Sequence, residues 1–309
     1  MYLAGDWALI AASVSVHLLV GGVVVYLIAV VVIGVRMRAL GNLLHEAAHA
    51  KLFASARANA VAGTVLCGWP LLVDFRRYAA LHRMHHRYLW RDDRDPDLAL
   101  YRLTGTETGS ADVSSFEAFL VRHVLLVIVP VMPWRRLISG WRQRPRPLAW
   151  LGSALLLAAG LLAARTLAVD VLLYWLVPWL TTYQMCSYWA ELGEHGGLRR
   201  AGHHWGSRNW RGSIITRWVI GSHSDDLYHL LHHWFPAVPH YRLRSLDRIC
   251  REHWPDYAAH SRCCGFFLGG RDGVSVLRDI WVGGGRLADV PEDAQPISMA
   301  VDRALPIQS

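Results

Sequence analysis

Long runs of apolar residues limit this chain of 309 residues to folds that suit a lipid bilayer. Residues 7–35 are apolar except for two serines and one histidine. As a single helix they would extend about 43 Å, whereas the hydrocarbon core of a bilayer is about 30 Å thick. The run therefore predicts either one over-long helix or a short hairpin that bends at Gly21 and Gly22 and returns both ends to the same side.

Four later segments extend this apolar pattern. Residues 148–164 and 171–190 predict a pair of spanning helices joined by a short turn. Residues 59–73 are too short to span and predict a re-entrant or interfacial segment, and we expect residues 119–134 to be half inserted. The chain thus predicts an all-α, multi-pass membrane bundle of about four spanning helices plus re-entrant segments.

Polar segments separate the apolar runs, and arginine provides nearly all of their basic charge. Lys51 is the only lysine in a chain of net charge +8. Because the arginines flank apolar runs, they favour anionic lipid headgroups and a cytoplasmic location over a nucleic acid partner. We therefore predict a cell-membrane protein with one domain over residues 1–282, followed by a flexible tail over residues 283–309. The predicted cytoplasmic cap comprises residues 36–58, 74–118, 135–147 and 191–282.

Histidine is the residue type that points to chemistry. The chain has 17 histidines, and chance at that frequency is enough to produce an HxxxH spacing such as that of residues 45–49. The HxxHH pattern is much rarer by chance, yet it occurs twice, at residues 82–86 and at residues 229–233. On a helix, positions i, i+3 and i+4 share one face, so three imidazoles there can converge on a metal ion.

Each histidine group follows an apolar segment, so the groups are expected to meet at one boundary between membrane and water. Their eight imidazoles exceed the four positions of a tetrahedral zinc ion, which makes two metal ions the natural number. A further pair, Glu191 and His195, lies four residues apart at the end of the last apolar segment. Glu191 is the candidate catalytic residue, and it could bind a metal ion, hold a metal-bound water or orient a ligand.

The ordered boxes HEAAH, HRMHH and HLLHHWFPAVPHYRL resemble the membrane fatty acid desaturase and hydroxylase superfamily over about residues 7–250. The aspartate-rich residues 91–97 after the second box add to this resemblance. It implies a cytoplasmic cap above a four-helix membrane base and a non-haem centre of two iron ions. The iron ligands that it implies are His45, His49, His82, His85, His86, His195, His229, His232 and His233.

The resemblance implies an O2-dependent oxidoreductase that desaturates or hydroxylates an unactivated C–H position of a fatty acyl or lipid substrate. The chain has no haem-binding or dinucleotide-binding motif, so we expect electrons from an external donor of the ferredoxin or flavoprotein reductase type. Compact loops keep open a small amino-acid-derived or terpenoid substrate. Two other hypotheses also stay open: a zinc protease whose HExxH motif has Glu46 as general base, and a metal-binding membrane protein without enzymatic activity.

Overall fold

The structure is a computed structural model that describes residues 1–109, 113–128, 165–223, 226–260, 265–269 and 273–283. These residues form helices and loops, with no β-strand among them and an isolated bridge between Asn209 and Tyr228. The predictions for residues 135–147, for the spanning helix 148–164 and for the tail from residue 284 concern parts outside the described residues.

The described α-helices are numbered here in chain order. They are α1 (Tyr2–Val20), α2 (Val23–Ala48), α3 (Ala56–Val61), α4 (Phe75–Tyr88), α5 (Leu98–Thr104), α6 (Phe116–Ile128), α7 (Arg165–Val171), α8 (Gln184–His195), α9 (Gly202–Trp205), α10 (Ile214–Val219), α11 (His229–Trp234), α12 (Leu243–His253), α13 (Pro255–His260) and α14 (Val276–Trp281). The chain divides into two compact units. The first unit comprises residues 1–38 and 121–188, and the second comprises residues 39–120 and the chain from Trp189 onward.

The N-terminal apolar run forms the hairpin, the second of the two alternatives that the sequence left open. Its break lies at Gly21 and Gly22, whose φ angles of 72° and 85° fall in the left-handed region that glycine adopts without a steric penalty. On either side of the break, the rings of His17 and Tyr26 are 5.4 Å apart between centroids. Helices α1 and α2 therefore pack side by side in antiparallel orientation.

Helices α1 and α2 are both long and apolar enough to cross a membrane. Many of their apolar side chains are exposed, including Leu19 and Val24, and an exposed apolar surface of this extent suits lipid better than water. A buried ion pair joins the two helices, with Arg36 Nη1 3.1 Å from Asp6 Oδ1. Because charges inside a membrane protein must be paired, this geometry fits helices that lie in a bilayer.

The last predicted spanning segment, residues 171–190, lies within one continuous helical stretch. Helix α7, π-helical turns at Leu172–Leu176 and Trp179–Tyr183, and α8 follow one another from Arg165 to His195. Pro178 has no backbone N–H to donate, and such a position commonly interrupts the α-helical hydrogen-bond pattern. This stretch packs closely on α2, since a Cβ atom at Gly34 would lie 2.5 Å from Thr182 Cβ.

The second unit has a core of buried side chains to which α5, α9, α11 and α12 contribute. Leu230 and Leu231 of α11 are fully buried there, and so is Leu243 at the start of α12. Residues 59–73, predicted to be re-entrant, belong to this second unit. They form the end of α3, a π-helix at Ala62–Gly68 and a turn. The core therefore fixes the position of α11, which carries the third histidine box, and of the loop that follows the second box, through Leu89 and Trp90.

Candidate metal centre

The first histidine box lies where α2 ends. His45 is in the last turn, and His49 follows the last helical residue, with its N–H still bonded to the carbonyl of His45 at 3.2 Å. The helix stops there because Ala50 adopts a φ of 57° and its N–H bonds to Ala47 O, while the N–H of Lys51 bonds to Glu46 O. This pair of bonds is the Schellman motif, which satisfies carbonyls that a helix end leaves open.

The second box lies on α4, which begins at Asp74, whose carboxylate accepts a hydrogen bond from the N–H of Arg77 at 3.0 Å. His82, His85 and His86 occupy positions i, i+3 and i+4 of this helix. The loop after α4 folds around the buried carboxylate of Asp95, which accepts the N–H of Trp90 at 2.9 Å. The same carboxylate lies 2.9 Å from Nδ1 of His85.

The third box forms the short helix α11, and His195 is the last residue of α8. The N–H of Leu231 in α11 donates to Asn209 Oδ1 at 3.3 Å, which anchors this helix to the loop before α10. His195 Nδ1 lies 3.0 Å from the carbonyl oxygen of Gly206. These contacts bring the third box and the end of α8 to the same place.

The structure collects the nine predicted histidines into two adjoining groups within the second unit. Within each set of candidate ligands, the nitrogen or oxygen atoms lie within 4.8 Å of one another. The first group consists of His45, His49, His82, His86 and His232. The second group consists of His85, His195, His229 and His233, in which His195 belongs both to a set with His85 and His233 and to a set with His229.

Neighbouring Nε2 atoms approach one another at distances that suit a shared ion. Two nitrogens that each lie about 2.1 Å from one metal ion are about 3.0 Å apart at a right angle and about 3.4 Å apart at a tetrahedral angle. The observed distances are close to the right-angle value. They are 2.9 Å for His49–His82, 3.0 Å for His82–His86, 3.1 Å for His86–His232, 3.2 Å for His85–His195 and 3.1 Å for His195–His229.

The protonation of two rings in the second group follows from their partners. The carboxylate of Asp95 and the carbonyl of Gly206 only accept hydrogen bonds, so Nδ1 of His85 and Nδ1 of His195 carry the proton and donate it. In neutral imidazoles this leaves a lone pair on each Nε2, and these two atoms face each other at 3.2 Å. Two lone pairs at that distance repel, and either a metal ion between them or a second proton on His85 removes the repulsion.

Two further ring nitrogens support the same conclusion. Nε2 of His45 and Nε2 of His233 are buried and have no hydrogen-bond partner among the described residues. A buried polar atom without a partner costs about 1–3 kcal/mol, so such atoms need a ligand that the protein does not itself provide. A metal ion in each histidine group would supply it.

Most of the clustered histidines are held in the neutral form that binds metal. Burial lowers the pKa of His49 from 6.5 to about 4, although the carboxylate of Glu46 opposes the shift. Burial, with the nearby positive charge of His85, lowers the pKa of His195 to about 3. Burial and neighbouring imidazoles also lower the pKa well below 6.5 in four other members: His82, His86, His232 and His233.

The pKa of His85 shifts in the opposite direction. Burial alone would lower its pKa, but the carboxylates of Asp97 and Asp95 outweigh burial and the net shift of the His85 pKa is upward. The nearest oxygens of Asp95 and Asp97 are 2.9 Å and 3.3 Å from Nδ1 of His85. A carboxylate on the far side of a ligating imidazole orients the ring and makes it a more basic ligand.

Besides Asp95 and Asp97, the carboxylate of Glu194 approaches the second group. Its Oε2 lies 3.7 Å from Nε2 of His229, and it forms a set of candidate ligands with His195 and His229. Glu191 belongs to none of the candidate sets formed by the described residues, and its backbone carbonyl accepts the hydroxyl of Tyr101 at 3.4 Å. Sequence reasoning missed Glu194 because helical spacing from His195 favours Glu191, whereas the position of α11 brings His229 beside Glu194.

Glu46, the acidic residue of HEAAH, has a partner outside the histidine groups. Its Oε2 accepts the backbone N–H of His240 at 3.3 Å and lies 3.3 Å from Nδ1 of the same residue. Glu46 is buried, so this contact joins the end of α2 to the loop that follows the third box. The carboxylate is therefore engaged in a structural contact.

Comparisons with known proteins cover most of the chain. A family model described as Fatty acid desaturase matches residues 21–264, a range that contains all nine clustered histidines. The chain is also similar to the dihydrorhizobitoxine desaturase of Bradyrhizobium elkanii, with 29% identity over 280 residues. That alignment covers 84% of this chain and 76% of the relative.

Proposed function

Because this chain belongs to the fatty acid desaturase family, we propose that it is an O2-dependent oxidoreductase that holds two non-haem iron ions between its clustered histidines. The observation that carries the proposal is the convergence of Nε2 atoms in two groups, at distances close to those of nitrogens at right angles around one ion. The first group would hold one ion and the second group the other. Imidazole is a ligand that suits iron.

The same geometry disfavours the zinc protease hypothesis. A catalytic zinc ion takes three protein ligands in a tetrahedral arrangement, whereas five histidines meet in the first group alone. A general base must also reach the substrate, and Glu46 is bound instead to the backbone N–H of His240. We therefore interpret the HExxH pattern as two proposed iron ligands at the end of α2 with a structural glutamate between them.

When bound, the iron pair supplies the activation of O2 and the removal of hydrogen from an unactivated C–H bond. The protein's own residues prepare the site for that chemistry. Asp95 and the carbonyl of Gly206 fix the rings of His85 and His195, and burial keeps bulk water away from the nitrogens. We assign to Glu194 a role as carboxylate ligand or as acceptor for a ligand of the second ion, and Glu191 stays the second candidate for that role.

Desaturation and hydroxylation differ in how the atoms balance. Desaturation removes two hydrogen atoms from adjacent carbons, and with two electrons and two protons from outside both oxygen atoms leave as water. Hydroxylation inserts one oxygen atom and releases the other as water, with the same two electrons. In both cases we propose that the electrons come from a separate donor of the ferredoxin or flavoprotein reductase type, because the sequence has no haem-binding or dinucleotide-binding motif.

For the substrate we propose a fatty acyl or lipid chain, taken up by a multi-pass protein of the cell membrane whose histidines face the cytoplasm. The relative from Bradyrhizobium elkanii favours a second candidate, since that protein is named for dihydrorhizobitoxine and not for a fatty acid. The second candidate is a small amino-acid-derived or terpenoid metabolite oxidised by the same site.

The experiment that tests the proposal measures metal before it measures product. The purified full-length protein, reconstituted with ferrous iron, is expected to hold two irons per chain by mass spectrometry and to give the Mössbauer spectrum of a non-haem iron pair. One zinc ion and no iron in active protein would contradict it. Lipid extracts of expressing cells then distinguish the substrates, because unchanged acyl chains alongside two bound irons favour the small metabolite.

The two glutamates are distinguished by matched variants. Glu194→Gln is expected to weaken metal retention at the second group, because its carboxylate lies within reach of His229. Glu191→Gln is the matched control on the same helix, and we expect it to retain both irons. Equal metal loss from both variants would contradict the assignment to Glu194.

A further inference from the structure

A cavity in the second unit lies beside the segment that leads into α11. It has a volume of about 460 Å³, which is within the range of about 300–1,000 Å³ that small-molecule sites occupy. No residue of the two histidine groups lines it. Its wall includes Trp210, Arg211, Arg217, Tyr228, Arg244 and Arg248.

The positive charge of this cavity is largely uncompensated by the described residues. Arg211, Arg217 and Arg248 form no ion pair with any described residue, and Arg244 adds a fourth guanidinium. Asp247 also lines the cavity, but its carboxylate already accepts Arg251 Nε at 3.0 Å and the hydroxyl of Tyr257 at 2.5 Å. The guanidiniums of Arg211, Arg217 and Arg248 are therefore available for an anion.

Trp210 packs behind this wall. Its side chain is fully buried, so its indole N–H does not open onto the cavity. The groups that the lining offers to the acceptor oxygens of a ligand are therefore the guanidiniums of Arg211, Arg217 and Arg248.

We propose that this cavity is a binding site for a phosphate group carried by a small molecule or by a lipid headgroup. A phosphate monoester carries a charge of about −1.5 to −2 at pH 7, which balances several guanidiniums better than the single charge of a carboxylate does. The planar guanidinium of arginine also binds two phosphate oxygens at once. The proposal does not depend on the metal content of the protein.

The wall of this cavity is bonded to the third histidine box. The backbone N–H of Trp210 donates to the carbonyl of Leu227 at 3.1 Å, and the side-chain Oδ1 of Asn209 accepts the backbone N–H of Leu231 in α11. A phosphate that bridges Arg217 in α10 and Arg248 in α12 therefore ties together the segments that support α11. We expect a bound phosphate to raise the thermal stability of the protein.

The test titrates sn-glycerol 3-phosphate into the full-length protein in phosphatidylcholine nanodiscs, with binding measured by calorimetry. Glycerol and glycerate are the ligand controls, because they lack the phosphate and carry charges of zero and minus one. The cavity variant is Arg217→Gln with Arg248→Gln, which removes two of the facing charges. The matched control is Arg57→Gln with Arg76→Gln, which removes two exposed arginines of the same unit that do not line the cavity.

We expect the cavity variant to bind glycerol 3-phosphate at least about tenfold more weakly, because it loses the charge-assisted hydrogen bonds of two guanidiniums. The matched control is expected to bind like the unmodified protein. The single substitution Arg217→Lys keeps the charge and tests the planar guanidinium, with an intermediate loss expected. If the double variant does not fold, the binding affinity of the Arg217→Lys variant tests the proposal in its place.

Nanodiscs that contain phosphatidic acid, a lipid whose headgroup is a phosphate monoester, distinguish the two sources of phosphate. If they prevent the binding of glycerol 3-phosphate, the cavity holds a lipid headgroup, and if they do not, it holds a soluble phosphate. The proposal is overturned if the unmodified protein binds no glycerol 3-phosphate at millimolar concentration. It is also overturned if glycerate binds as tightly, or if the cavity variant and the unmodified protein bind alike.

Discussion

The two histidine groups differ in what contacts the far side of each ring. In the second group, the carboxylate of Asp95 and the carbonyl of Gly206 accept hydrogen bonds from His85 and His195. In the first group the contacts are between rings, and the carboxylate of Glu46 lies 4.0 Å from Nδ1 of His45, beyond hydrogen-bond distance. The protein itself thus orients the second group, whereas the first group depends more on a bound ion to hold its rings together.

The largest expected effect comes from the ring on which the second group depends most. His85→Ala removes a ligand and leaves the carboxylates of Asp95 and Asp97 without their imidazole. We expect loss of activity. We also expect metal affinity to fall by more than about 100-fold, because loss of a residue that only supports a ligand already lowers it about 10–100-fold. Activity assays and iron analysis check this, with His204→Gln as a control outside both groups. Normal turnover by the alanine variant would contradict the site.

Asp95→Asn tests the support of the second group without removing a ligand. The substitution weakens the hydrogen bond that fixes His85, so we expect metal affinity at the second group to fall about 10–100-fold while the first group keeps its ion. Iron content after dialysis against a chelator measures the difference. Asp93→Asn is the control, since Asp93 is exposed and pairs with Arg94. Equal loss of both irons would contradict the contrast between the groups.

The pH dependence of the metal-free protein sharpens the same comparison. The pKa of His49 is about 4 in the folded state against 6.5 when unfolded, so the unfolded state binds more protons and stability falls as pH drops through this window. From pH 7 to pH 5 this loss is about 2 kcal/mol for His49 alone. The raised pKa of His85 has the opposite sign, because its contribution is complete below pH 6.5 and is lost as pH rises.

Denaturant unfolding of the metal-free protein at pH 5 and pH 7 measures this effect. We expect a lower midpoint at pH 5, since the members of the first group with a lowered pKa outnumber His85. The variant His49→Gln, which cannot be protonated, is expected to reduce the difference between the two pH values. A midpoint that rises at pH 5 would show that the histidines with a lowered pKa do not dominate.

The smallest expected effect concerns the helix end that carries the first group. Ala50 has a φ of 57°, a conformation that costs an L-residue about 1–2 kcal/mol, whereas glycine adopts it freely. Ala50→Gly is therefore expected to stabilise the protein by about 1 kcal/mol in thermal unfolding. Ala48→Gly, at the last helical residue, is the control and is expected to destabilise it. Equal effects of both substitutions would show that the left-handed conformation at Ala50 carries no penalty.

Much of the site could be predicted from the sequence, because short-range spacing is enough to recognise it. The three boxes and His195 indicated nine imidazoles, and the predicted family resemblance is confirmed by the match over residues 21–264. The hairpin at Gly21 and Gly22 was one of two alternatives, since apolar length alone does not distinguish a bend from a tilt. The roles of Asp95 and Glu194 depend on a loop and a helix contact that no spacing specifies.

By itself, the sequence determined which histidines come together, since helical periodicity places the three histidines of the second box on one side of α4. Only the tertiary structure decided how they divide: His82 and His86 join the first group, while His85 joins the second. The reason is that residues four apart lie almost above each other, whereas His85 is rotated around the helix axis toward α8 and the loop of Asp95. That division depends on which elements pack on either side of the helix, and packing is a property of the whole fold.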